Sequence, residues 1–102
     1  IRELLSHGQI ARNEIGFISS HANSSPIFVR KEARALRNAF GENSELPLVS
    51  SIKGVLGHSF GASGAFQAAV AALALEHGEM PPTHNLTSPD PECMLNHVVG
   101  SY

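Results

Sequence analysis

Apolar positions along this chain switch between the spacing of a helix face and the unbroken run of a buried strand. Between Val29 and Phe40 they recur as Ala33, Leu36, Ala39 and Phe40, with Arg30, Arg34 and Arg37 largely opposite. That stripe predicts an amphipathic helix, with Gly41 as its C-terminal cap. Ile1 to His7 reads as the end of another helix, stopped at Gly8. Ile15-Gly16-Phe17-Ile18-Ser19-Ser20 and Leu46 to Ile52 are short apolar runs bounded by turn residues, which predicts two mostly buried strands. A brief final strand is expected over His97 to Val99.

The helix expected from about Gly61 to His77 is different in kind. Ala62, Ala65, Ala68, Ala69, Ala71, Ala72 and Ala74 leave it almost no polar face, and Gly78 ends it. A helix apolar on nearly every side must be buried on nearly every side. That calls for sheets on both flanks, more structure than one domain of this length supplies. Pro81 to Leu86 reads as a proline-stiffened connector, and Ser88-Pro89-Asp90-Pro91 as a turn. The order helix, strand, helix, strand, helix, strand is the α/β pattern.

Composition narrows the class. At 102 residues this is one small domain, and it opens at Ile1 without methionine and stops at Tyr102 as an apolar run ends, so a fragment incomplete at both ends is expected. A net charge of −2 without a basic stripe argues against nucleic acid. The single cysteine, Cys93, forms no internal disulfide and fits a reducing, cytoplasmic setting. The longest apolar stretch, Ala68 to Leu75, is too short to cross a bilayer. The histidines and Cys93 show no zinc spacing, so no metal is expected.

Candidate chemistry gathers at the strand ends. His21 follows the first strand and enters the turn Ala22-Asn23-Ser24-Ser25-Pro26; Lys53 ends the second; His58 follows Gly57 just before the alanine-rich helix. Strand ends with small-residue turns are where α/β proteins display reactive side chains. Glycine at 57 and 61 admits a substrate closely, and the following helix N-terminus favours an uncharged imidazole and attracts an oxyanion. Lys53 with a nearby carboxylate such as Glu32 would hold the electrostatics of the histidines. Cys93, in a turn with no adjacent base, is a poor nucleophile. A competing motif overlaps: Gly57-His58-Ser59-Phe60-Gly61 matches the nucleophile elbow of α/β-hydrolases, and Asp90 and His97 follow in triad order. Against it stand a weak strand before the elbow and too little chain between residues 78 and 89 for the missing strands.

With these residues in view, the chain resembles the C-terminal half of the elongating, type II β-ketoacyl-acyl-carrier-protein synthases. His21-Ala22-Asn23-Ser24-Ser25-Pro26 looks like that family's His-Gly-Thr-x-Thr-Pro. Glu32-Ala33-x-Ala35 with Phe40-Gly41-Glu42 fits the helix after it. Ser50-Ser51-Ile52-Lys53 and Gly57-His58-x-x-Gly61-Ala62-x-Gly64-Ala65 fit the lysine and second-histidine motifs, and Pro81-Pro82-Thr83-x-Asn85-Leu86 with Pro89-Asp90-Pro91 fits the stretch beyond.

The resemblance implies a thiolase-like fold and decarboxylative condensation of malonyl carrier with an acyl thioester. His21 and His58 match the catalytic histidines, Lys53 the active-site lysine and Glu32 its acidic support. Asn23 and Ser25 fall where two threonines bond the pantetheine arm, so the only prosthetic chemistry implied is the phosphopantetheine of an acyl carrier protein. Further implied partners are the N-terminal half of the same enzyme, which would supply the cysteine nucleophile, and a second copy in a homodimer. Departures are Ala22 for glycine, Asn23 and Ser25 for threonines, and Val29 for an acidic residue. A non-catalytic partner of the chain-length-factor kind is the alternative; such partners usually lack the paired histidines.

Overall fold

A computed structural model describes residues 1–41 and 46–100. Glu42, set by the resemblance beside Phe40 and Gly41, lies outside the described residues. The elements are helix α1 (Arg2–Gly8), strand β1 (Phe17–Ser19), helix α2 (Pro26–Phe40), strand β2 (Leu48–Ser50), the single turn α3 (Lys53–Leu56) and helix α4 (Ser63–His77).

β1 and β2 pair in parallel, with Phe17 opposite Leu48, Ile18 opposite Val49 and Ser19 opposite Ser50. Parallel neighbours need a crossover, and α2 provides it. Its stripe lands where the sequence puts it: Ala33, Leu36, Ala39 and Phe40 are buried. Leu36, Ala39 and Phe40 join Leu46 in the core, with Leu5, Ile15, Ile18 and Leu95 packed around them. α2 starts at Pro26, three residues before the expected start at Val29, because proline's fixed φ suits a first helical position. Gly41 ends it, its N–H donating to the Arg37 carbonyl at 2.8 Å.

The structure shortens several expected elements. α1 runs through Gly8, and the left-handed stop is Gln9, φ +52°. β2 stops at Ser50 rather than Ile52, because the Ser51 N–H is taken by Thr83 Oγ1 at 3.0 Å. Lys53 therefore opens α3 rather than closing a strand. The third strand is reduced to one parallel bridge, Val49 with His97, made by Val49 N–H to the Asn96 carbonyl and Val98 N–H to the Val49 carbonyl. The Val98 carbonyl instead accepts the Thr83 N–H, so the segment after Pro81 lies where a longer ladder would continue.

α4 presents Ser63, Gln67, Val70, Ala71 and Ala74 inward, at helical spacing, yet no residue on it is fully buried. The burial expected on every side is not supplied by the described residues: Phe66, Leu73 and Leu75 stand open, Leu75 at 79% exposure. Val55, Leu56 and Phe60 add to the exposed apolar surface. Exposed apolar side chains in such number favour association. Produced by itself, the 102-residue chain is expected to self-associate and to bind a hydrophobic dye. Light scattering that found a dye-silent monomer would contradict this.

Candidate functional site

The site begins where β1 ends. Ser20 extends the ladder by one bond, its N–H donating to the Ser50 carbonyl at 2.8 Å, and is buried. The chain must then turn sharply, and it does so through left-handed backbone at Ala22 (φ +28°) and Ser24 (φ +63°). Alanine in that region is strained, roughly 1–2 kcal/mol relative to its preferred basin. Ala22 thus occupies, with a side chain, a conformation that suits glycine.

Glu32 holds the strained turn in place. Its carboxylate accepts the His21 N–H at 2.6 Å and the Ala22 N–H at 2.9 Å. A second clamp comes from α4: Gln67 Nε2 donates to the carbonyls of Ser19 (3.2 Å) and Ser20 (2.9 Å). Asn23 Oδ1 accepts the Ser25 N–H at 3.2 Å, tightening the turn from within.

His58 arrives from the other direction. Gly57, at φ +72°, reverses the chain after α3. Nδ1 of His58 accepts the Phe60 N–H at 3.3 Å and lies 3.4 Å from Ser63 Oγ, while the ring stacks on Phe60 with centroids 4.5 Å apart. With Nδ1 an acceptor, an uncharged ring carries its N–H at Nε2. The rings of His21 and His58 meet edge to face, centroids 5.3 Å apart and planes at 83°. Two imidazoles from distant parts of the chain are therefore brought together.

Lys53, Glu32 and His58 line a cavity of about 370 Å³ together with Thr83, His84, Val29, Val49 and Leu86. Lys53 Nζ is buried and has no hydrogen-bond partner among the described residues. The expected pairing of Lys53 with Glu32 does not form; the Glu32 oxygens accept backbone N–H groups. Asn23 lines the cavity; Ser25 and the exposed His21 do not.

The hydrolase alternative is not assembled. Ser59 Oγ bonds Ser63 Oγ at 3.3 Å, His97 Nε2 lies 3.1 Å from the Cys93 carbonyl, and Asp90 pairs with Arg30 at 3.2 Å. The Asp90 carboxyl is held below its usual range by the Glu92 N–H and by Arg30. Burial pushes the Cys93 thiol up, a direction that disfavours the thiolate. Sequence patterns gave no sign of Gln67, and marked Thr83 only as part of the Pro81-to-Leu86 stretch. The arginines of α2 did offer one: Arg30 and Arg37, two turns apart, both bind the 90–94 segment, Arg37 through the carbonyls of Met94 and Glu92.

Comparisons with known proteins bear on the family and fold of the chain. Residues 1–87 match the family described as Beta-ketoacyl synthase, C-terminal domain. The tetracenomycin polyketide synthase ketoacyl synthase alpha subunit of Streptomyces glaucescens is 38% identical over 98 residues, 96% of this chain and 23% of that protein. The 3-oxoacyl-[acyl-carrier-protein] synthase 2 of Synechocystis sp. is 38% identical over 86 residues, 84% of this chain and 21% of that protein. Among solved structures, the ishigamide ketosynthase/chain length factor superposes with a TM-score of 0.87 at 36% identity, covering 92% of this chain and 23% of that one. The chain thus spans between a fifth and a quarter of the length of these relatives.

Two outcomes test the turn. Glu32→Ala leaves two N–H groups without their charged acceptor, so amide exchange at His21 and Ala22 is expected to quicken about tenfold or more, a loss of about 1–3 kcal/mol in protection. Unchanged exchange would show that the carboxylate is dispensable. Ala22→Gly removes the strained Cβ, and urea denaturation is expected to show a net gain of up to about 1 kcal/mol after glycine's larger entropy loss is subtracted.

Proposed function

The chain belongs to the β-ketoacyl synthase family through that C-terminal domain, and from this premise we propose that it carries the enolate-stabilising part of a decarboxylating condensing site. The observation that supports this most directly is the meeting of His21 and His58 at 5.3 Å beside a cavity that holds a buried ammonium.

Malonyl thioester on an acyl carrier protein loses its carboxylate as carbon dioxide. The bonding pair moves into the thioester carbonyl, giving an enolate whose oxygen carries the developing charge. Imidazole N–H donors of His21 and His58 hold that oxygen, Nε2 being the donor of His58 because its Nδ1 is occupied. Lys53 adds positive potential from within the cavity wall, and Glu32 fixes the backbone that aims His21. The enolate carbon then attacks an acyl thioester on a cysteine contributed from outside this chain. A C–C bond forms, the C–S bond breaks, and its electron pair leaves on the thiolate sulfur. Asn23 and Ser25 meet the pantetheine arm, and the protein needs no cofactor of its own.

The full enzyme works in the cytoplasm as a homodimer with an acyl carrier protein, its N-terminal half completing the site, in fatty-acid or polyketide synthesis. A second reading, a non-catalytic subunit of the chain-length-factor kind, draws support from the solved relative whose complex includes such a factor. The paired histidines favour the catalytic reading.

Removing one oxyanion donor costs about 10²- to 10³-fold in rate. His58→Ala and His21→Ala are each expected to slow carbon dioxide release from malonyl carrier by that order in the enzyme that contains this chain. Wild-type rates in both variants, or no decarboxylation by the parent protein, would overturn the proposal.

A further inference from the structure

Residue 54 is glycine for a reason of space rather than of backbone angle. It lies inside α3, and its φ is not in the left-handed region. A Cβ built on it would stand 2.7 Å from the His84 carbonyl oxygen, 3.2 Å from the His84 Cβ and 3.3 Å from the His84 carbonyl carbon. The nearest of these atoms is backbone, so no side-chain rotation relieves the contact. Any side chain at 54 must push the 81–86 segment away.

That segment is a strap held from other points as well. Ser50 Oγ donates to the Pro81 carbonyl at 2.6 Å, the Ser51 N–H donates to Thr83 Oγ1 at 3.0 Å, and the Thr83 N–H donates to the Val98 carbonyl at 2.9 Å. Pro81 and Pro82 stiffen its entry. Along its length it contributes Thr83, His84 and Leu86 to the lining of the cavity that Lys53, Gly54 and His58 also line.

We propose that Gly54 is a positioning residue: by admitting the His84 backbone against α3 it seats the strap, and the seated strap sets the width of the cavity that receives the malonyl thioester. This rests on the ketosynthase reading given above. The strap touches the substrate-binding wall and no proton or bond is moved through it, so its effect falls on binding rather than on the chemical step.

The test uses the full enzyme that contains this chain. Gly54→Ala is expected to raise KM for malonyl carrier about fivefold with kcat within about twofold, the signature of lost substrate binding without lost chemistry. The Leu86 amide, which donates to the Thr83 carbonyl at 3.3 Å, is expected to exchange about tenfold faster in the same variant. Thr83→Val, which loosens the strap from its other side, is expected to shift both readouts in the same direction, and Thr83→Ser to restore them. This pair carries the test if Gly54→Ala does not fold. Unchanged Leu86 exchange in Gly54→Ala and Thr83→Val overturns the latch. Faster exchange with an unchanged KM overturns its role in binding. If the wild-type enzyme does not decarboxylate malonyl carrier, the ketosynthase reading fails, and the exchange measurements alone still uphold or overturn the steric latch.

Discussion

A single carboxylate, that of Glu32, decides where the site can form. It takes the N–H groups of His21 and Ala22 at the point where β1 runs out of ladder partners and the backbone enters left-handed space. Two adjacent donors without an acceptor would leave that turn without compensation for its strain. The helix backbone that carries Glu32 is anchored by its neighbour Ala33, at 1% exposure among the most buried of the described residues. The hydrophobic stripe of α2 thus fixes the direction of His21 through one ionised side chain.

The rest of the site is organised around β2. Val49, also 1% exposed, pairs with β1 on one edge and with His97 on the other. Past Ser50 the ladder ends and side chains take over: Ser50 Oγ and the Ser51 N–H bind the strap that begins at Pro81. The cavity exists because that strap bridges from β2 to the turn carrying Lys53 instead of pairing as a strand. On the far side of α2, Arg30 and Arg37 hold the 90–94 segment that closes the cavity's remaining wall. These exposed ion pairs add little energy in water. Their contribution is to register, because they fix which residues of the segment face inward.

Much of the fold was legible in the chain. Periodicity placed α2 and α4 to within a few residues, and the apolar runs marked β1 and β2. The all-apolar surface of α4 correctly announced a helix, while its cover lies beyond what the described residues provide. The strand expected at His97 shrank to a bridge because a hydrogen-bond partner it needed was taken by Thr83. Periodicity reports which face is buried; it carries no record of which acceptor a given N–H will choose.

The same division runs through the candidate site. A shared place at strand ends followed by small-residue turns singled out His21, His58 and Lys53 together, and the family resemblance set Glu32 beside them. Sequence also put Cys93 in a turn without an adjacent base and turned the arginines of α2 away from its core face. Only the tertiary structure decided that the two imidazoles meet edge to face, that Glu32 binds backbone rather than Lys53, and that Gly54 makes room for the His84 carbonyl. Those outcomes depend on distances between segments far apart in the chain. Such distances are set by how the crossover helix and the strap pack on two short strands, and local pattern does not encode them.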